Sequence, residues 1–149
     1  MTTEKKSPPL LWLYIFSGVA ILGLIVWTSL RTLRDNPNRE ATVDLPGQGL
    51  VTVRFTTDPY PPLPSGTVIL DFMAINSRRQ MLNLGPALPY SYGSKGSETP
   101  IAAGQAILDE MGMSYQAGVQ FSVVGDYWTI LELDNGKQVR FQFYVEPAQ

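Results

Sequence analysis

The sequence predicts an all-β domain, an antiparallel β-sandwich, carried behind a single N-terminal transmembrane helix. Three observations predict it. Residues 10–30 form an uncharged apolar run, the apolar pattern switches to a period of two from Ala41 onward, and turn signals divide the remainder into short segments with no helical period. The chain accordingly divides into a polar tail (1–9), the membrane helix (10–30), a linker (31–44) and the β-sandwich (45–149).

The run from Leu10 to Leu30 is about 21 residues long, which at about 1.5 Å per residue matches a hydrocarbon core roughly 30 Å thick. Apolar side chains occur all round it. Ser17, Thr28 and Ser29 supply hydroxyls that can bond back to helix carbonyls, and Trp12, Tyr14 and Trp27 stand near the two ends, where aromatic belts sit. Pro8-Pro9 opens the helix where a missing amide donor costs nothing. A cleaved signal peptide is the competing reading, because Lys5 and Lys6 precede the run; the run is too long for that, and Thr28-Ser-Leu-Arg-Thr-Leu-Arg34 offers no small-x-small site. Ser17, Ala20 and Gly23 recur every three positions and are candidates for contact with another membrane helix, although Gly18 and Gly23 do not form GxxxG.

Composition removes whole classes of chemistry. The chain has no Cys and no His, which excludes disulfides, thiol nucleophiles, Cys/His zinc sites and any Ser-His-Asp arrangement. From residue 41 onward six cations face ten acids, a net of about −4, so the domain is a poor nucleic-acid binder. Asp109 and Glu110 are adjacent and would face opposite ways on a strand, and Asp71 stands alone in an apolar segment. No enzymatic constellation is expected. The flanking charges, Lys5 and Lys6 against Arg31, Arg34 and Arg39, nearly tie, with a slight lean towards a cytoplasmic domain.

Within the domain, Leu50–Phe55 places Val51, Val53 and Phe55 on one face, and Thr67–Ile75 places Val68, Leu70 and Phe72 opposite Ile69, Met73 and Ile75. Both read as strands. The proline-rich stretch Asp58–Gly66 joins them as an extended loop. Ser77–Asn83 is a turn leading into a short third strand. Gly85–Gly104, rich in proline and glycine, reads as a long loop whose Tyr90 and Tyr92 look exposed and are candidates for a partner surface, and Ile101–Leu108 reads either as a short helix or, the preferred reading, as loop into strand. Met111, Met113, Tyr115, Ala117, Val119, Phe121 and Val123 then alternate along one face, interrupted by a bend at Gly112 or Gly118. Gly125-Asp126 turns into Tyr127–Leu133, and Asp134-Asn-Gly136 makes a hairpin to Lys137–Val145, whose Val139, Phe141, Phe143 and Val145 point inward. Phe121 and Trp128 are expected in the core.

The order Val53-Arg-Phe, Pro59, Pro61, Gly66-Thr and Leu70, then Met111-Gly-Met113, Tyr115-Gln-Ala-Gly-Val-Gln-Phe121 and Gly125-Asp-Tyr-Trp128, resembles the YtkA-like domain, a group that includes the FixH proteins. The resemblance covers most of residues 45–146. It implies an immunoglobulin-like sandwich outside the cytoplasmic membrane, anchored by one helix and serving copper handling or assembly of a haem-copper oxidase. That pattern often carries a histidine near the methionines, and this chain has none.

Met111 and Met113 on a strand would share one face, where Met81 or Met73 completes a trio of soft thioethers suited to Cu(I) and not to Cu(II). Methionine is equally a core filler, and the same face continues as Tyr115, Val119 and Phe121, so core packing is the preferred expectation and no cofactor is expected apart from weakly bound Cu(I). The function expected is that of a non-enzymatic, single-span accessory protein of the cytoplasmic membrane, with its domain outside. Its partners would be the bilayer and other membrane subunits. The alternative is a structural single-span subunit of a larger membrane complex.

Overall fold

The computed structural model describes residues 9–35 and 39–148. The helix and the β domain are two separate compact units that divide between residues 36 and 37. The polar tail at 1–7, with Lys5 and Lys6, lies outside the described residues. Helix α1 runs from Pro9 to Asp35, so it continues through the first residues of the expected linker. Its described side chains, Trp12 and residues 14–29, are all exposed. The Thr28 hydroxyl bonds back to the Leu24 and Ile25 carbonyls at 2.9 and 3.0 Å, as expected of a hydroxyl in an apolar helix.

Eight strands follow: β1 (Glu40–Leu45), β2 (Gly49–Asp58), β3 (Val68–Asn76), β4 (Ala87–Ser94), β5 (Ala102–Leu108), β6 (Tyr115–Val119), β7 (Gly125–Glu132) and β8 (Gln138–Val145). The domain is all-β and antiparallel throughout, in the order β1-β2-β3-β6-β5-β4-β7-β8. Only two register pairs, Ile107↔Gln116 and Leu108↔Tyr115, join β5 to β6. At that weak seam the sheet folds over into two facing layers, and its outer strands β1 and β8 come back together. The result is a nearly closed sandwich.

Alternation decides the inner faces. Val51, Val53 and Phe55 of β2, Val68, Leu70 and Phe72 of β3, and Val139, Phe141, Phe143 and Val145 of β8 are buried, each set being the face with period two. Rings from both layers meet at the centre: Phe55 lies 5.2 Å from Phe141 and 5.3 Å from Phe72, and Phe121 lies 4.8 Å from Tyr127. The hairpin at Asp134–Gly136 forms as its residues require, with Asn135 and Gly136 at φ 62° and 71°.

Four expectations are corrected. First, β1 occupies Glu40–Leu45, inside the expected linker, and pairs along its whole length with β2. Second, the supposed loop from Gly85 to Gly104 contains β4 and the start of β5. Pro89 fits in β4 because the ladder to β7 begins only at Tyr90, leaving that side of the strand open at Pro89. Third, Met111 and Met113 are not on a strand, since β6 starts at Tyr115 and the preceding residues turn. Fourth, Trp128 is buried but stands on the outer face of β7, apart from the main core. Its indole N–H donates to the Ser97 and Ser94 carbonyls at 2.8 and 3.1 Å, and it lies so close over Gly93 that a Cβ there would sit 2.4 Å from the ring.

Candidate functional site

The turn from Asp109 to Ser114 carries the two methionines singled out as ligands. Asp109 builds it: one carboxylate oxygen accepts the Met113 and Ser114 amides at 2.6 and 3.2 Å, and Gly112 takes φ +68°. With its carboxylate committed to these amides, Asp109 is a structural cap. Met111 is 80 % exposed and Met113 45 % exposed, so the preferred expectation that they fill the core is overturned. Their turn is held by backbone bonds, and no strand pleat turns them inward. Met81 is half-buried and bridges Ile75 at the end of β3, while Met73 faces outward on β3. Among the described residues no group of three or more His, Cys, Asp or Glu is placed to hold a metal ion.

The two tyrosines proposed for a partner surface part company. Tyr92 points into the sandwich, is 7 % exposed, and its hydroxyl donates to the Gln120 carbonyl at 3.4 Å; its exposed reading is corrected. Tyr90 is half-buried against the core, with its ring close over Gly104, its partner on β5. Burial raises the hydroxyl pKa of both. On the outer face nearby, Pro89, Ser91, Gln105, Ile130, Glu132 and Gln138 border a shallow groove of about 420 Å³.

A second groove, of about 480 Å³, crosses the outer face of β1, β2 and β3 between Arg39, Glu40, Arg54, Thr56, Asp71 and Met73. Arg54 is paired with Glu40 at 2.6 Å, and the Arg39 guanidinium lies 4.0 Å over the Tyr60 ring. Asp71 stands between Thr56 of β2 and Gln116 of β6. Partial burial raises its pKa, against which hydrogen bonds from Ser114 and Gln116 act.

Ser17, Ala20 and Gly23 are exposed on α1, as are its other described side chains. Among the described residues no helix is long and apolar enough to cross a membrane. The helical backbone of α1 extends over 27 residues.

One feature of the domain was missed in the sequence. Tyr127, near the start of β7, turns its hydroxyl back to the Val123 carbonyl at 2.7 Å, four residues upstream. Two residues on, Thr129 is wholly buried and donates to the Ser91 carbonyl at 3.1 Å. The spacing was visible, but only the strand order gives it meaning.

No protein-family model matches the chain, and no curated protein matches it as a relative.

Proposed function

We propose that this protein is a non-enzymatic, single-span accessory protein of the cytoplasmic membrane, with an immunoglobulin-like domain held outside by α1. The observation that carries the reading is α1 itself. It is 27 residues long, encloses the uncharged run Leu10–Leu30, and exposes every described side chain from Tyr14 to Ser29, including Phe16, Leu22, Leu24 and Trp27. Such a surface left in water is unfavourable by about 25 cal/mol per Å² of apolar area, and a bilayer removes it.

Two features support the immunoglobulin-like assignment. Strands β2-β3-β6 and β4-β7-β8 follow the A-B-E and C-F-G orders of immunoglobulin domains, with β1 as an additional edge strand and β5 lying beside β4, where variable-type domains carry C′. Tyr127 makes the bond of a tyrosine corner on the corresponding strand. The assignment agrees with the resemblance to YtkA-like domains, which also supports the extracytoplasmic side.

Alkaline carbonate extraction of membranes, followed by intact-mass measurement, tests the anchor. The full chain should stay in the pellet. A mature chain beginning after residue 30, or release by carbonate, would overturn the reading. A second reading, copper handling, is favoured by the exposure of Met111 and Met113 on one turn. Competition against a chromogenic Cu(I) chelator decides it: tight one-to-one binding that is lost on Met111→Leu/Met113→Leu establishes it, and binding unchanged by that pair of substitutions removes it.

A further inference from the structure

Arg39 fixes which end of the sandwich follows the helix. Its carbonyl accepts the Phe55 amide at 2.7 Å, and its guanidinium covers Tyr60 in the loop after β2. Antiparallel order puts three loops at that end: 59–67, 95–101 and 120–124. They are tied to neighbouring segments by backbone bonds, Glu146 to Pro62 at 2.9 Å and Lys95 to Asp126 at 2.9 Å, so they form a defined surface.

That surface differs in composition from the opposite one. Its three loops carry two charges, Lys95 and Glu98, and Lys95 is paired with Asp126 at 3.4 Å. The loops of the far end carry Arg78, Arg79, Asp109, Glu110, Asp134 and Lys137. At the near end Ile101 is 58 % exposed and Val123 63 %, with Val124 and Tyr60 also exposed. No loop geometry demands apolar residues at such tips. Serine or lysine would serve equally well in water.

Chain length restricts what these tips can meet. From Leu30 to Asp35 the helix rises about 7.5 Å, and the four steps from Asp35 to Arg39 span at most about 14 Å. If α1 crosses a bilayer, Arg39 therefore lies within about 22 Å of the hydrocarbon edge. The headgroup layer occupies the first 5–8 Å or so of that distance. A domain tethered so closely cannot keep this end far from the lipid surface.

We propose that the Ile101 and Val123-Val124 tips, with Tyr60 at the same end, form a membrane-contacting surface that seats the domain in the headgroup layer. The proposal rests on the anchor reading above and adds to it the side of the domain that faces lipid. Aliphatic tips bury into the boundary between headgroups and acyl chains, and the exposed tyrosine places an amphipathic ring at the same level. Charged residues at this end, Arg39, Asp58, Lys95 and Asp126, flank the apolar tips at a level where headgroups and water solvate them.

The absence of cysteine makes the test direct. Single variants Ile101→Cys, Val123→Cys, Met111→Cys and Val19→Cys, all at exposed positions, are made in the full chain, labelled with a small environment-sensitive fluorophore and reconstituted into phosphatidylcholine vesicles. The vesicles carry nitroxide lipids with the spin label either shallow or deep. A shallow nitroxide should reduce emission at 101 and 123 roughly twofold and leave 111, at the far end, unaffected, while a deep nitroxide quenches position 19. If position 19 is quenched but 101 and 123 behave like 111, the anchor stands and the proposal is overturned, with the tips left for a protein partner. Loss of quenching at position 19 overturns the anchor and the proposal together.

Discussion

Thr57 of β2 points into the sandwich, and among the described residues its hydroxyl is buried with no hydrogen-bond partner. A desolvated hydroxyl that recovers nothing from the fold is a net cost, and valine has the same shape without it. Thr57→Val should stabilise the domain by roughly 1 kcal/mol, read as a higher urea midpoint; a lower midpoint would show that the hydroxyl is satisfied in solution. Asp71 presents the charged version of the same problem. Its pKa in the folded protein is raised, chiefly by burial, so the folded state favours the protonated acid. The associated stability is fully present below the ordinary carboxylate value and is lost as pH rises through the folded value. Above the folded value the residue is ionised and poorly solvated. Asp71→Asn should therefore raise the melting temperature at pH 7, and its advantage should shrink as the pH falls towards 4. An advantage constant across that range would remove burial as the cause. Asp71 was legible in the sequence as a lone carboxylate in an apolar strand, whereas Thr57 was not, because a threonine among valines and phenylalanines looks like any β-branched strand residue.

Strands β3 and β8, whose alternation is regular, were legible almost to their ends, while β2 was legible over Leu50–Phe55 and β7 from Tyr127 onward. Those missed have identifiable reasons. β4 reads Ala-Leu-Pro-Tyr-Ser-Tyr-Gly-Ser, in which Pro89 and Gly93 are breakers by composition. Only the fold reveals that Pro89 sits beyond the β7 ladder and that Gly93 must be bare to admit Trp128. The methionine turn was misread for the converse reason, since Met111, Met113 and Tyr115 alternate well but Asp109 takes the Met113 and Ser114 amides first. β1 was hidden by Glu40 and Asp44, which are ordinary on an outward face at a sheet edge. Its contribution can be measured. β1 supplies the buried Leu45, a full ladder to β2, the Arg54–Glu40 pair and a Thr42–Thr52 hydroxyl contact at 3.0 Å. A soluble fragment beginning at residue 37 should melt cooperatively, and one beginning at residue 46 should melt well below it or fail to fold. Equal melting temperatures would mean that β1 is an ornament on a sandwich already complete from β2.

At the scale of the whole molecule, the proposed anchor implies a side of the membrane for the domain, and that side can be tested. The flanking cations do not decide it, because two lysines on one flank face three arginines on the other. Arg39 moreover belongs to the folded domain, where it accepts the Phe55 amide and covers Tyr60. Domains of this length translocate largely regardless of such charges. The lack of cysteine makes the fold indifferent to an oxidising compartment, since its cohesion comes from the aromatic centre and from bonds such as Tyr115 to Gly85 at 3.0 Å and Tyr127 to Val123 at 2.7 Å. What favours the outside is the resemblance to YtkA-like domains. A C-terminal alkaline phosphatase fusion, which is active only after export, should therefore be active in cells, and a green fluorescent protein fusion routed through the same export path should be dark. The reverse pair of results would put the sandwich in the cytoplasm. In that case the resemblance would lose its functional content, and the charge comparison, slight as it is, would prove to be the better guide.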